Sequence, residues 1–198
     1  MRRLALLAVC TMLFASGCAR PEPGSPGNPP PSVGTSGPPT PTATMPGSRD
    51  AQILAAVLRR YLTSPGENSF PGASFPVVFV VDRTDPDAAD PMSSGGAAAG
   101  TAIAADDQQW ITGVLAGVGD LRFVSDRADV LVNTHECAQV RDGGILIQLG
   151  TPRGGADRVE VGIFGFVACL GATWLTYVIE HDARGWSVTG TTGPMAIA

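Results

Sequence analysis

Apolar positions along this chain recur at two different spacings, and the change between them separates its helices from its strands. Ile53, Leu54, Val57, Leu58, Tyr61 and Leu62 return every three to four residues, which predicts a helix with one apolar face. Ser48 stands at its start as a cap, and Asp50 falls in the first turn, where the helix dipole favours negative charge. Arg59 and Arg60 sit near the opposite end, and Ser64-Pro65-Gly66 stops the helix. Phe75-Pro76-Val77-Val78-Phe79-Val80-Val81 is then a continuous run rich in β-branched residues, the pattern of a strand covered on both faces. Residues 84–100, dominated by Asp, Pro, Ser, Gly and Ala, read as a loop. A second helix is expected over residues 103–116, with Trp110, Ile111, Val114 and Leu115 inward and Gly117 and Gly119 ending it.

From Leu121 the spacing falls to two. Strands are predicted at 121–124, 130–134 and 144–149. The clearest signal is the pair 158–169 and 173–181, joined near Leu170-Gly171-Ala172. In the first, Val159, Val161, Ile163, Val167 and Cys169 oppose Glu160, Phe164 and Phe166; in the second, Trp174, Thr176 and Val178 oppose Leu175, Tyr177 and Ile179. Asp182-Ala183-Arg184-Gly185 turns the chain into a last strand, 186–191. Early helices followed by consecutive hairpins predict an α+β domain over residues 49–198, with two helices packed on a curled, mainly antiparallel sheet. This element order is similar to that of the cystatin-like and nuclear-transport-factor-like α+β cones.

The start of the chain has another character. Arg2 and Arg3 precede an apolar run, Leu4 to Phe14, which is followed by Ala15-Ser16-Gly17-Cys18. The run is too short to span a bilayer, which takes about 20 residues, and has the length of a signal-peptide core. The whole resembles a bacterial lipoprotein signal with its lipobox. That resemblance implies that residues 1–17 are removed and that Cys18 becomes a diacylglyceryl thioether carrying acyl chains such as palmitate. It implies an anchor at the outer, extracytoplasmic face of the cell membrane; two acyl chains hold a protein stably where one does not. The C-terminal half, especially Gly165 to Trp174 and Gly185 to Gly190, also looks like uncharacterised bacterial lipoproteins, a likeness that brings no activity with it.

Residues 19–48 are rich in Pro, Gly, Ser and Thr, as in Pro29-Pro30-Pro31 and Pro38-Pro39-Thr40-Pro41-Thr42. They carry almost no apolar mass and read, with Cys18, as a lipidated and disordered spacer, at most ~90 Å long if extended at about 3.1 Å per residue. With Cys10 in the removed segment and Cys18 lipidated, Cys137 and Cys169 are left as an even pair in an oxidising compartment. They are expected to form a disulfide, closing a loop of roughly 32 residues and restricting the unfolded chain by about 3–4 kcal/mol.

Charge narrows the partners. All 13 basic residues are arginine, against 18 acidic ones, for a net charge of −5. Loss of Arg2 and Arg3 deepens this to about −7. With no basic cluster, the chain is not a nucleic-acid binder, because that depends on phosphate neutralisation.

Candidate chemistry is sparse. His135-Glu136-Cys137 is the one clustering of these residue types, but neighbours on a strand point to opposite faces and no third group is indicated. Asp82, Asp85, Asp87 and Asp90 supply oxygen ligands without the spacing of a calcium loop. The glycine-rich stretches lack the strand, helix and lysine of a phosphate cradle, and Ser93, Ser94 and Ser187 lack a nucleophile-elbow context. No catalytic group, metal or cofactor is assigned. Trp174, Tyr177, Phe164 and Phe166 are the expected ligand-binding residues, on the premise that a curled sheet gathers alternate aromatics at its mouth; Trp110, Trp174 and Trp186 are read as core packing, with the lining of a cavity inside the curled sheet as the alternative. The leading expectation is a lipid-anchored module binding an envelope protein or a small apolar ligand. The alternatives are a hydrolase using His135, Glu136 or His181, and a purely structural domain.

Overall fold

The Ser48 hydroxyl accepts a hydrogen bond from the Ala51 N–H at 3.1 Å and opens helix α1, Arg49–Thr63. A computed structural model describes residues 46–70, 74–93, 100–134 and 137–198, all within the compact unit Ala43–Ala198. The signal-like segment, Cys18 and the Pro-rich stretch up to residue 45 lie outside the described residues, as do His135 and Glu136. Along α1, Ile53, Leu54, Val57, Leu58 and Tyr61 are buried as their spacing requires, joined by Ala51 and Ala55. Burying each of the large side chains contributes about 1.5–3 kcal/mol.

Ser64-Pro65-Gly66 ends α1 and at once begins a one-turn helix, α2, Pro65–Asn68. Proline suits that first position because its missing N–H has no helical partner there. The Asn68 amide donates to the Tyr61 carbonyl at 2.9 Å and ties α2 back to α1.

The strands follow as β1 (Val77–Val81), β2 (Asp120–Val124), β3 (Leu131–Thr134), β4 (Cys137–Val140), β5 (Ile145–Leu149), β6 (Arg153–Gly154), β7 (Arg158–Phe166), β8 (Ala172–Asp182) and β9 (Gly185–Ile197). A ten-residue helix, α3 (Ala105–Val114), lies between β1 and β2. The large sheet has the order β2-β1-β5-β7-β8-β9, with β6 beside β7, and it is open: β2 and β9 are its two ends. β1 runs parallel to both neighbours, and every other pairing is antiparallel. Parallel partners need a crossover, and α3 lies in the one from β1 to β2. The molecule is therefore mixed α+β with a mainly antiparallel sheet. β4 and β6 are strands that the sequence reading did not contain, and β9 is longer than expected.

One face of the sheet carries the main core. Val78, Val80, Ile145, Ile147, Val161, Ile163, Leu175, Tyr177 and Ile179 pack there with α1, with Ile111 of α3 and with Leu115 just past its end. Gly165 is on this face because a Cβ would overlap the Tyr61 hydroxyl, which is hydrogen-bonded to Thr173 Oγ1. The opposite face has a second, smaller core: Val77, Phe79, Val81 and Leu146 beneath Val130 and Val140. β1 and β5 are thus covered on both sides, which is why all five residues of each are buried.

The cover on the second face belongs to the β3–β4 ribbon and its flanking turns. Cys137 of β4 and Cys169 stand at disulfide distance, their Cα atoms 5.0 Å apart, and join the ribbon to the β7–β8 connection. Hydrogen bonds from Cys169 N–H to Ala138 O and from Val140 N–H to Val167 O, both 2.8 Å, reinforce the junction. Among the described residues, no helix is long and apolar enough to cross a membrane.

Candidate functional site

A groove of about 520 Å³ is built on α1. Gln52, Ala55, Ala56, Arg59, Arg60 and Thr63 contribute from α1, at the helical spacing of a single stripe beside its buried face. Trp110 and Val114 of α3 line it on one flank, and Arg184 to Val188 of the β8–β9 hairpin on the other. Ala55 and Ala56 leave depth that longer side chains would fill. Pro46, where the described chain begins, also lines the groove. The volume lies within the roughly 300–1,000 Å³ of small-molecule sites.

Its aromatic walls are fixed from behind. The Trp110 ring lies against the backbone of Gly47, where a Cβ would come within 2.5 Å of the ring. Gln52 Nε2 holds the Gly47 carbonyl at 2.8 Å, while Ser48 bonds Asp107 of α3 through its N–H at 3.0 Å and its hydroxyl at 2.8 Å. Trp186 has the Arg49 guanidinium over its ring at 4.9 Å and His181 beside it at 4.9 Å.

The polar lining is basic. Arg59, Arg60 and Arg184 face the groove, and no aspartate or glutamate is among the lining residues. Arg60 is neutralised by Glu67 of α2, with Nε 2.9 Å from Oε2. Arg184 pairs with Asp182 at 3.0 Å. Arg59 donates one bond, to the Val114 carbonyl at the end of α3, and has no carboxylate within salt-bridge distance among the described residues. The Glu67 carboxyl is held below the usual carboxylate range by the Arg60 bond, with the Tyr177 hydroxyl donating to it at 2.9 Å. Burial raises the Tyr177 phenol, and Glu67 adds to that; burial pushes Tyr61 up to about 12. All three keep the charge state they have at neutral pH.

The four aromatic residues singled out from the sequence do not share one face. Phe164, Phe166 and Trp174 stand together on the side away from α1, with ring centroids 6.4 Å apart for the two phenylalanines and 5.2 Å for Phe164 and Trp174. Tyr177 lies on the helix side, fully buried. Residue parity explains the split: Trp174 and Tyr177 are an odd number of positions apart on β8, so they point in opposite directions. Phe164 and Trp174 meet the acidic loop. Asp85, Asp87, Asp90 and Ser93, with Arg127, Phe164 and Trp174, enclose about 110 Å³. Arg127 sits 5.1 Å over the Phe164 ring and donates to Gln148 Oε1 at 3.2 Å; burial lowers its pKa, opposed by Asp85.

Of the residues considered for hydrolysis, His135 and Glu136 lie outside the described residues. His181 is exposed at the β8–β9 turn, against Trp186. No group of three metal-ligating side chains occurs among the described residues. Of the three tryptophans weighed as cavity residues, Trp110 and Trp186 line the groove and Trp174 does not; the share of α1 in it is not foreseen from the sequence. Its available signal was Ala55-Ala56 and Arg59-Arg60 beside the apolar stripe of α1, together with Val114, which faces the groove and is 37% exposed rather than inward. Compared with known proteins, the chain matches no family model, no curated protein and no solved structure.

Proposed function

We propose that this chain is a lipid-anchored module outside the cytoplasm, fastened through Cys18 and carrying a small-ligand site in the groove on α1. The observation that carries the reading is that groove: about 520 Å³, open, with two tryptophans on separate elements flanking two alanines. A pocket of that size, setting apolar surface such as Trp110, Val114, Trp186 and Val188 beside polar side chains that can orient a ligand, suits a small-molecule site. The lipobox-like Ala15-Ser16-Gly17-Cys18 supports the anchor, and the Cys137–Cys169 pair suits an oxidising compartment. The hollow beside Phe164 and Trp174 holds about 110 Å³, below the roughly 300–1,000 Å³ of small-molecule sites, which favours the α1 groove as the site.

A neutral apolar fluorophore, Nile red, tests the site on the full chain. Saturable binding at one equivalent is expected, and Ala56→Phe should reduce it at least about tenfold by occupying the floor. Equal binding by the unsubstituted chain and Ala56→Phe, with both folded by circular dichroism, would overturn the assignment of the groove.

A further inference from the structure

We infer that the groove selects an anionic amphiphile: a single phosphate- or carboxylate-type head held by Arg59, with an apolar body lying between Trp110 and Trp186. The inference rests on the groove being a ligand site and adds the chemical class of its occupant.

Charge is the first argument. The chain as a whole is acidic, at −5, yet the groove lining contains, among the described residues, three arginines and no carboxylate. Two of those arginines are already matched, Arg60 by Glu67 and Arg184 by Asp182. Arg59 has no such match among the described residues. Its one bond to a described residue, the Val114 backbone carbonyl, uses one of five donors. A planar guanidinium with donors to spare is suited to a phosphate or carboxylate oxygen pair. The Arg60–Glu67 pair and the Arg184–Asp182 pair border it without adding net negative charge.

Size and surface give the second argument. An inorganic anion would occupy a small part of about 520 Å³ and would leave Trp110, Val114, Trp186 and Val188 wet. An apolar body covers them, and removing such surface from water is what binds it. The indole rings are held in place from behind by Gly47 and by Arg49, so little ordering is needed when a ligand arrives.

Position gives the third. Pro46 lines the groove, and the chain runs upstream from it to Cys18. With Cys18 lipidated, an extended spacer of about 3.1 Å per residue keeps the groove within ~90 Å of a bilayer, the densest local source of anionic amphiphiles.

The test uses the full chain bearing Cys18→Ser, so that no detergent is needed, and Trp174→Phe, so that emission reports Trp110 and Trp186. Three probes are titrated below their micelle concentrations: octyl phosphate, octyl glucoside and inorganic phosphate. Octyl phosphate is expected to bind saturably and at least about tenfold more tightly than either of the others. Arg59→Gln should bring octyl phosphate binding down to that of octyl glucoside on the same variant, and Arg59→Lys should restore part of the preference. Equal affinity for the two octyl probes would overturn the anionic class and leave the groove as a site for neutral ligands. Inorganic phosphate binding as tightly as octyl phosphate would overturn the amphiphile in favour of a free anion. Failure of both octyl probes to bind would overturn the groove reading as well. The comparison of head groups on the arginine-bearing chain needs no folding of the Arg59 variants.

Discussion

Glu67 shows how much one side chain can join. It sits on a one-turn helix that has no strength of its own, yet it accepts from Arg60 of α1 and from Tyr177 of β8. Its side chain is only 24% exposed, so these bonds act under partial burial. The sign of the pH effect follows. The folded pKa is lowered, so the unfolded chain takes up the proton first, and the stabilisation is complete above the ordinary carboxylate value of 4.5. It is lost as pH falls from that value through the lower folded one. Glu67→Gln is expected to cost about 1–2 kcal/mol at pH 7 and progressively less in acid, with the two chains converging. Urea denaturation at pH 7, 5, 4 and 3 checks this; a constant difference across that series would remove Glu67 from the account.

At the scale of elements, the β3–β4 ribbon is the part least able to stand alone. Two four-residue strands are marginal without further packing. They are held over Val77, Phe79 and Val81 by Val130, by Val140 and by the link to Cys169. Breaking that link with Cys137→Ala and Cys169→Ala together should lower stability by about 2–4 kcal/mol, measured by urea denaturation. It should also raise binding of a hydrophobic dye, because the ribbon covers the second core. Unchanged stability and dye binding would mean that packing alone retains the ribbon. Much at this scale was legible from periodicity: α1 with its Ser48 cap, the doubly covered β1, and the β7–β8 hairpin with its turn near Leu170. The pairing of β1 with β2 and β5 was not, since periodicity locates strands without saying which ones adjoin. Nor was the separation of Tyr177 from Trp174 used, although counting along β8 reveals it. The groove stayed hidden for a different reason. Its lining comes from three stretches far apart in sequence, each unremarkable until α1 brings Trp110 and Trp186 to opposite flanks.

For the whole molecule, the anchor is the governing expectation. Mass analysis of the native N-terminus should find a diacylglyceryl adduct on Cys18, and Cys18→Ser should move the protein from the detergent phase to the aqueous phase on Triton X-114 partition. An unmodified Cys18 in the membrane-associated protein would refute it. The way the chain enters its folded part then acquires mechanical meaning. Gly47 is seated under Trp110, and the Ser48–Asp107 and Gln52–Gly47 bonds bind the same few residues to α1 and α3. Tension transmitted along the chain from an anchor at Cys18 would be received there first, before any strand of the sheet is loaded. Since Trp110 is also a wall of the groove, a sufficient pull would drag on that indole and loosen whatever it grips, making the stem of the protein a drawstring on its own purse.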